Sequence, residues 1–265
     1  MSVHSSEPPR RGPLQDVGVL VTRPARQAAG LAAQLAALGA SPIVFPATVI
    51  LPPPDRTRLD RIHATLDRFD IAIFASANAV EFGAPGPQSC PARLRTFAPG
   101  PGTAGALAAA GIHEVTIPAA TFDSEGLLAL PALCQLTGRR IAIFRGEDGR
   151  DLLGDTLRAR GAVVEYVDCY RRAAPREAQG LVAALLDGRV DAVTLTTSEG
   201  LDNLWKLLDA DTRPRLLRLP TFVPHPRIAE HARGLGFQAI VTEGADAGLI
   251  AGLLEWFASH PLLRR

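Results

Sequence analysis

VGVLVTRPARQAAGLAAQLAALGASPIVF (residues 17–45) and RRIAIFRGEDGRDLLGDTLRARGAVVEYV (residues 139–167) lie over one another without a gap. At a constant offset of 122 positions, Arg23 meets Arg145, Leu31 meets Leu153, Leu35 meets Leu157 and Gly39 meets Gly161. Two more pairs follow. DIAIFASANAVEF from Asp70 matches DAVTLTTSEGLDN from Asp191, and TFAPGPGTAGALAAAGIHEV from Thr96 matches TFVPHPRIAEHARGLGFQAI from Thr221. Three matched blocks in one order predict two copies of a single fold.

Each block reads as strand, polar loop, helix, glycine, strand. VGVLV and IAIF are short unbroken apolar runs, as strands covered on both faces of a parallel sheet require. The leucines that follow, Leu31 with Leu35 and Leu153 with Leu157, form one helical stripe. Gly39 and Gly161 stand where a helix end calls for a left-handed residue. Strands alternating with helices through short connections predict an α/β protein with an open parallel sheet in each copy. Ligands of such sheets bind beyond the carboxyl ends of the strands. That rule singles out the loops around Arg23, Ser76, Gly100, Ser124, Arg145, Tyr170, Thr197 and His225.

The 265 residues are 47% hydrophobic and 21% charged, a globular composition with room for two domains. The net charge of +1 offers no field for nucleic acid or a membrane surface. Lys206 is the single lysine among 28 basic residues. Arginine can grip carboxylates bidentately where lysine cannot, although a biased genome gives the same count. Cys90, Cys134 and Cys169 provide neither a disulfide framework nor CxxC spacing, and the six histidines show no metal-ligand pattern. The N-terminus lacks the apolar core of a signal peptide, and no apolar run is long enough to span a bilayer. These features predict a cytoplasmic protein with no metal.

Gly100-Pro101-Gly102-Thr103-Ala104-Gly105 spells the GxGxxG of dinucleotide sites. Pro101 removes an N–H from that cradle, and the matching loop of the other copy, Pro224-His225-Pro226-Arg227, has none of the glycines. The loop remains an anion holder through its N–H groups, Gly102 and Thr103 included. Arg23 and Arg145 end equivalent strands, Arg150 starts a helix and Arg227 another. Either they close salt bridges within their own copy, or they present guanidinium groups to a polyanion. Ser76 and Asn78 match Thr197 and Glu199, with Ser198 alongside, and Ser124 opens a further helix. Hydroxyls in such places cap helices, a role compatible with ligand contact. Tyr170, at a strand end beside two arginines, is either packing or part of a site.

Several phrases in this order resemble the uroporphyrinogen-III synthase family. They are VTRP with a later LxxxGA, FASANAV, GPGTA followed by DSEGLL, RGEDGR, GAVVEYVDCYRR and HPRIAEHARGLGF, and the resemblance runs from about Val17 to Phe257. It implies two parallel-sheet lobes joined by a two-stranded ladder. Residues 16–46 and 172–260 form a discontinuous lobe 1, residues 47–171 form lobe 2, and residues 1–15 form a flexible tail. It implies a monomeric, cofactor-free cyclising lyase whose lobes open and close on the octacarboxylate hydroxymethylbilane, made by an upstream bilane-forming enzyme. Water leaves, a spiro intermediate forms in the interlobe cleft, and ring D is inverted. Tyr170 falls on the tyrosine to which the family's hydroxyl loss is attributed, and Thr197 on a small hydroxyl residue of the cleft. The substrate contacts implied are Arg23, Ser76, Asn78, Gly102, Thr103, Ser124, Arg145, Arg150, Thr197, Ser198, His225 and Arg227. Two departures are visible: Arg227-Ile228 stands where some members carry a threonine, and Ala75 replaces a threonine common before the serine. A non-catalytic module closing on an acidic ligand, and a nucleotide-dependent transferase or reductase using Gly100–Gly105, are the other readings.

Overall fold

The structure, a computed structural model, describes residues 12–260. Residues 1–11 of the expected tail lie outside the described residues. The rest of that expectation needs correcting: residues 13–16 form a turn in which Leu14 is fully buried and donates its N–H to the Leu38 carbonyl.

The described chain divides into two compact units, one running to Val49 and resuming at Ala173, the other Ile50–Arg172. In chain order, β1 (Gly18–Val21), α1 (Ala25–Ala37) and β2 (Ser41–Val44) open unit 1. Unit 2 follows with β3 (Val49–Leu51), α2 (Thr57–Ala64), β4 (Ile71–Phe74), α3 (Ala77–Gly83), β5 (Arg95–Phe97), α4 (Pro101–Ala109) and β6 (Val115–Thr116). It ends with α5 (Ser124–Leu128), β7 (Arg140–Gly146), α6 (Leu152–Ala159) and β8 (Val163–Ala173). Unit 1 then resumes with α7 (Gln179–Leu186), β9 (Ala192–Thr194), α8 (Ser198–Leu207), α9 (Arg213–Leu217) and β10 (Pro220–Val223). It closes with α10 (Pro226–Gly234), β11 (Gln238–Val241) and α11 (Asp246–Ser259).

The strand orders are β2-β1-β9-β10-β11 in unit 1 and β3-β8-β7-β4-β5-β6 in unit 2. Leaving aside β3, which adds to the edge beside β8, the two sheets match strand for strand at the offsets read from the sequence. The pairings within these matched sets are parallel. The duplication is therefore real in three dimensions, with the two halves of the fold taken in opposite chain order.

Both sheets are covered on both faces, which is why their central strands carry continuous apolar runs. In unit 1, Val19 and Val21 pack with Leu31 and Leu35 of α1 and Leu249 and Leu253 of α11, while Leu20 meets α7, α8 and α10. In unit 2, Ile141 and Ile143 pack on α5 and α6, whereas Ala142 and Phe144 face α2, α3 and α4. Gly39 and Gly161 take φ of +90° and +89°, the left-handed turns expected after α1 and α6.

The connections also fix where a site can form. From β7 the chain crosses through α6 to β8 on one side, and from β4 through α3 to β5 on the other. Their loops diverge between β4 and β7, leaving a crevice at the carboxyl ends. In unit 1 the same divergence falls between β1 and β9.

Candidate active site

At the β4–β7 divergence of unit 2 lies a pocket of about 320 Å³. Its wall includes Ala75 and Ser76 after β4, Arg145 and Gly146 at the end of β7 with Glu147–Arg150 after it, Ser124 of α5, and Tyr166, Tyr170 and Arg172 of β8. Of the expected residues, the fold thus brings Ser76, Ser124, Arg145, Arg150 and Tyr170 to one place.

Tyr170 arrives there through a break in the strand period. Arg145 pairs with Asp168, but Gly146 pairs with Tyr170, leaving Cys169 as the extra residue of a bulge. Simple alternation would set Cys169 and Tyr170 on opposite faces. Instead both join the core beneath α3, with Cys169 fully buried and Tyr170 5% exposed. Burial pushes the Cys169 thiol up to about 12. The Tyr170 ring lies over Gly146, where an added Cβ would stand 2.8 Å from Cζ, and its other neighbour is Phe82 at 6.4 Å between centroids. The phenol oxygen is 3.2 Å from Ser76 Oγ, and either can donate. Ser76 caps α3 as expected, accepting the Ala79 N–H at 3.1 Å.

Arg145 is engaged within its own unit. Its Nε donates to Asp168 at 3.1 Å, its Nη1 to Asp151 at 2.8 Å and the Gly149 carbonyl at 2.9 Å, and its guanidinium lies 3.6 Å from the Tyr166 ring centre. Burial works to lower the pKa of Arg145, but its bonds to Asp151 and Asp168 outweigh it and the net shift is upward. Asp151 is correspondingly held below its ordinary range by Arg145. These contacts hold the Gly146–Asp151 loop as the pocket wall. Arg150 projects from that loop, 71% exposed, with Glu125 Oε1 at 3.8 Å.

Asn78 is half-buried in the first turn of α3, and Ser124 begins α5 behind Asp123, whose side chain supplies the cap by accepting the Gly126 N–H. Gly100 precedes α4 in an extended conformation, and a Cβ there would meet Phe122 at 2.8 Å. Gly102 is exposed with open space around it, and Thr103 is buried. The GxGxxG run is a helix start whose first glycine accommodates Phe122, while Gly102 and Gly105 face open space.

In unit 1, Arg23 pairs with Asp246 at the start of α11. Thr197 caps α8 by accepting the Gly200 N–H at 3.0 Å, the counterpart of Ser76, and Ser198 follows half-buried. His225 caps α10, its Nδ1 accepting the Arg227 N–H at 3.1 Å, which places the neutral ring's proton on Nε2. His225 and Arg227 are exposed.

Sequence reading missed Tyr166, Glu147, Asp148 and Arg172 in the pocket wall. Tyr166 had a usable signal, since it alternates with Asp168 on the strand beside Arg145. The acids of RGEDGR had none, because a loop's direction is set by what Arg145 holds. Among the described residues no group of three or more His, Cys, Asp or Glu is placed to hold a metal ion, and no helix is long and apolar enough to cross a membrane.

A family model for uroporphyrinogen-III synthase HemD matches residues 29–250. The uroporphyrinogen-III synthase of Salmonella typhimurium is 35% identical over 246 residues, spanning 90% of this chain and 100% of that protein. The chain belongs to the uroporphyrinogen-III synthase family. The fold agrees. A mutant uroporphyrinogen III synthase from Thermus thermophilus superposes with a TM-score of 0.56 at 21% identity, covering 92% of this chain and 99% of that one. The uroporphyrinogen-III synthetase from Helicobacter pylori gives 0.57 at 11% identity, over 91% and 99%. Members of the uroporphyrinogen-III synthase family are cyclising lyases of porphyrin synthesis, and this membership sets aside the binding-module and nucleotide-dependent readings.

Proposed function

We propose that the chain closes linear hydroxymethylbilane to uroporphyrinogen III, with loss of water and inversion of the last ring, and that the unit 2 pocket is where the hydroxyl departs. One observation carries the assignment of the pocket: the Tyr170 phenol stands at the β4–β7 divergence within hydrogen-bond distance of Ser76. A phenol suits this step because it carries one O–H to donate and an oxygen that can take up the charge left behind. The electron-rich pyrrole expels the hydroxyl, Tyr170 lends its proton, and water leaves with an azafulvenium cation behind, its pyrrole N–H still in place. That carbon then attacks the substituted end of the last ring to give the spiro intermediate. Holding the chain in the inverting geometry is the larger task, since reacting groups gain most from being placed.

Arg150, exposed at the pocket, is one guanidinium suited to a propionate or acetate, and the Ser124 hydroxyl is a second contact. Arg145 in this reading shapes the wall. The protein works in the cytoplasm as a monomer, on bilane released by the enzyme that makes it. Incubation with freshly generated hydroxymethylbilane, followed by oxidation and isomer separation, tests the proposal. The type III porphyrin is expected; a product with only the symmetric type I isomer overturns it.

A further inference from the structure

Ser76 is more than a helix cap. We propose that its hydroxyl positions Tyr170, donating to the phenol oxygen so that the phenol's own proton is turned towards the departing hydroxyl. This rests on the reading of the pocket given above.

The geometry confines the phenol on each side. The bulge at Cys169 sets the Tyr170 side chain towards α3, Gly146 leaves room for the ring, and Phe82 flanks it. The Tyr170 carbonyl accepts the Glu147 N–H at 2.9 Å, tying that strand position to the pocket loop. Ser76 is held in turn, its Oγ accepting from Ala79 N at 3.1 Å. A serine hydroxyl has two lone pairs and one proton. With one lone pair on the Ala79 amide, the proton is free to lie along the 3.2 Å line to Tyr170.

That direction matters to the chemistry. When Tyr170 gives its proton to the hydroxyl, the carbon–oxygen bond breaks, water departs, and the phenol oxygen takes the negative charge. A Ser76 donor stabilises that charge as it grows, an interaction stronger in the transition state than before it. The proton later lost from the last ring, as its aromaticity is restored, returns to Tyr170. If Tyr170 donated to Ser76 instead, its proton would be turned away from the substrate.

The test uses Ser76→Gly, which removes the hydroxyl while glycine keeps most of an N-cap's stability, and Ser76→Thr, which retains both roles. Ser76→Gly is expected to lower kcat for the type III isomer by about tenfold to a hundredfold with KM within about twofold. Ser76→Thr is expected to restore kcat to near the wild-type value. The chain's two tyrosines give two Cζ resonances in carbon-13 NMR, assigned with Tyr170→Phe. The Tyr170 signal should shift in Ser76→Gly and not in Ser76→Thr. Unchanged kcat in Ser76→Gly, a loss confined to KM, or an unmoved resonance each overturns the proposal. Wild-type protein that makes no type III isomer would remove the reading beneath it, while the resonance would still report whether the hydroxyl pair exists.

Discussion

Gly146 shows how one residue sets the chemistry of its neighbour. A Cβ there would stand 2.8 Å from Tyr170 Cζ and 3.1 Å from its hydroxyl, closer than real packing allows. Gly146→Ala is therefore expected to displace the ring, costing about 1–3 kcal/mol of stability through overpacking. It should also slow turnover beyond what the lost stability explains. Denaturant unfolding and kcat measured together check this; a variant with native stability and rate would show that the ring has room to spare. Cys169 is fixed in the same way, since a Cβ on Gly83 would lie 2.2 Å from its sulfur. Two glycines thus seat two consecutive side chains of β8, and nothing in their spacing along the sequence announced it. Arg145 is the opposite case. Its equivalence to Arg23 was visible, and the structure finds both paired with aspartates.

Among elements, the strands legible in the sequence were those with period or hydrophobic run to read. β1, β4 and β7 are buried on both faces, and their runs state it. The β8 bulge was illegible because it interrupts the alternation on which the reading depends. The arginine bias also acquires a use at this scale. Arg160 donates to the Leu128 and Leu133 carbonyls, Arg213 to Trp205 and Arg233 to Ala239, so several guanidinium groups satisfy backbone carbonyls at helix ends or on a strand. Strand entry uses an aspartate in both units. Asp70 accepts the N–H of Arg140 at 2.9 Å, and Asp191 that of Gly18 at 2.8 Å. The Arg140 amide, helped by Arg139, holds the Asp70 carboxyl below its ordinary range. Its stabilisation is therefore present at pH values above the unfolded value of 3.8 and lost as pH falls through the lower folded value. Asp70→Asn should destabilise by about 1 kcal/mol at neutral pH, the gap closing in acid. A gap that persists unchanged into strong acid would assign the effect to something other than the carboxylate's charge.

At the scale of the whole molecule, the repeat carried most of the fold. Its offsets pair the strands of one sheet with those of the other, β3 aside, and the orders agree. What the repeat could not convey was chain order, because matching blocks do not say which half of a unit comes first. The structure sets the crossings near Val49 and Arg172, and β3 has no counterpart in the other sheet. The site was half legible. Ser76, Ser124, Arg145, Arg150 and Tyr170 could be named because strand-end loops carry ligands in this architecture. Which of them face a common pocket depended on a bulge and a held loop. We propose that the Tyr170 phenol at the β4–β7 divergence assists hydroxyl loss. Single-turnover kinetics of Tyr170→Phe with hydroxymethylbilane, followed by isomer analysis, test it most directly. Slowed type III formation is expected in a protein of near-native stability, with the share of the type I isomer rising. Type III formation at the wild-type rate would contradict it.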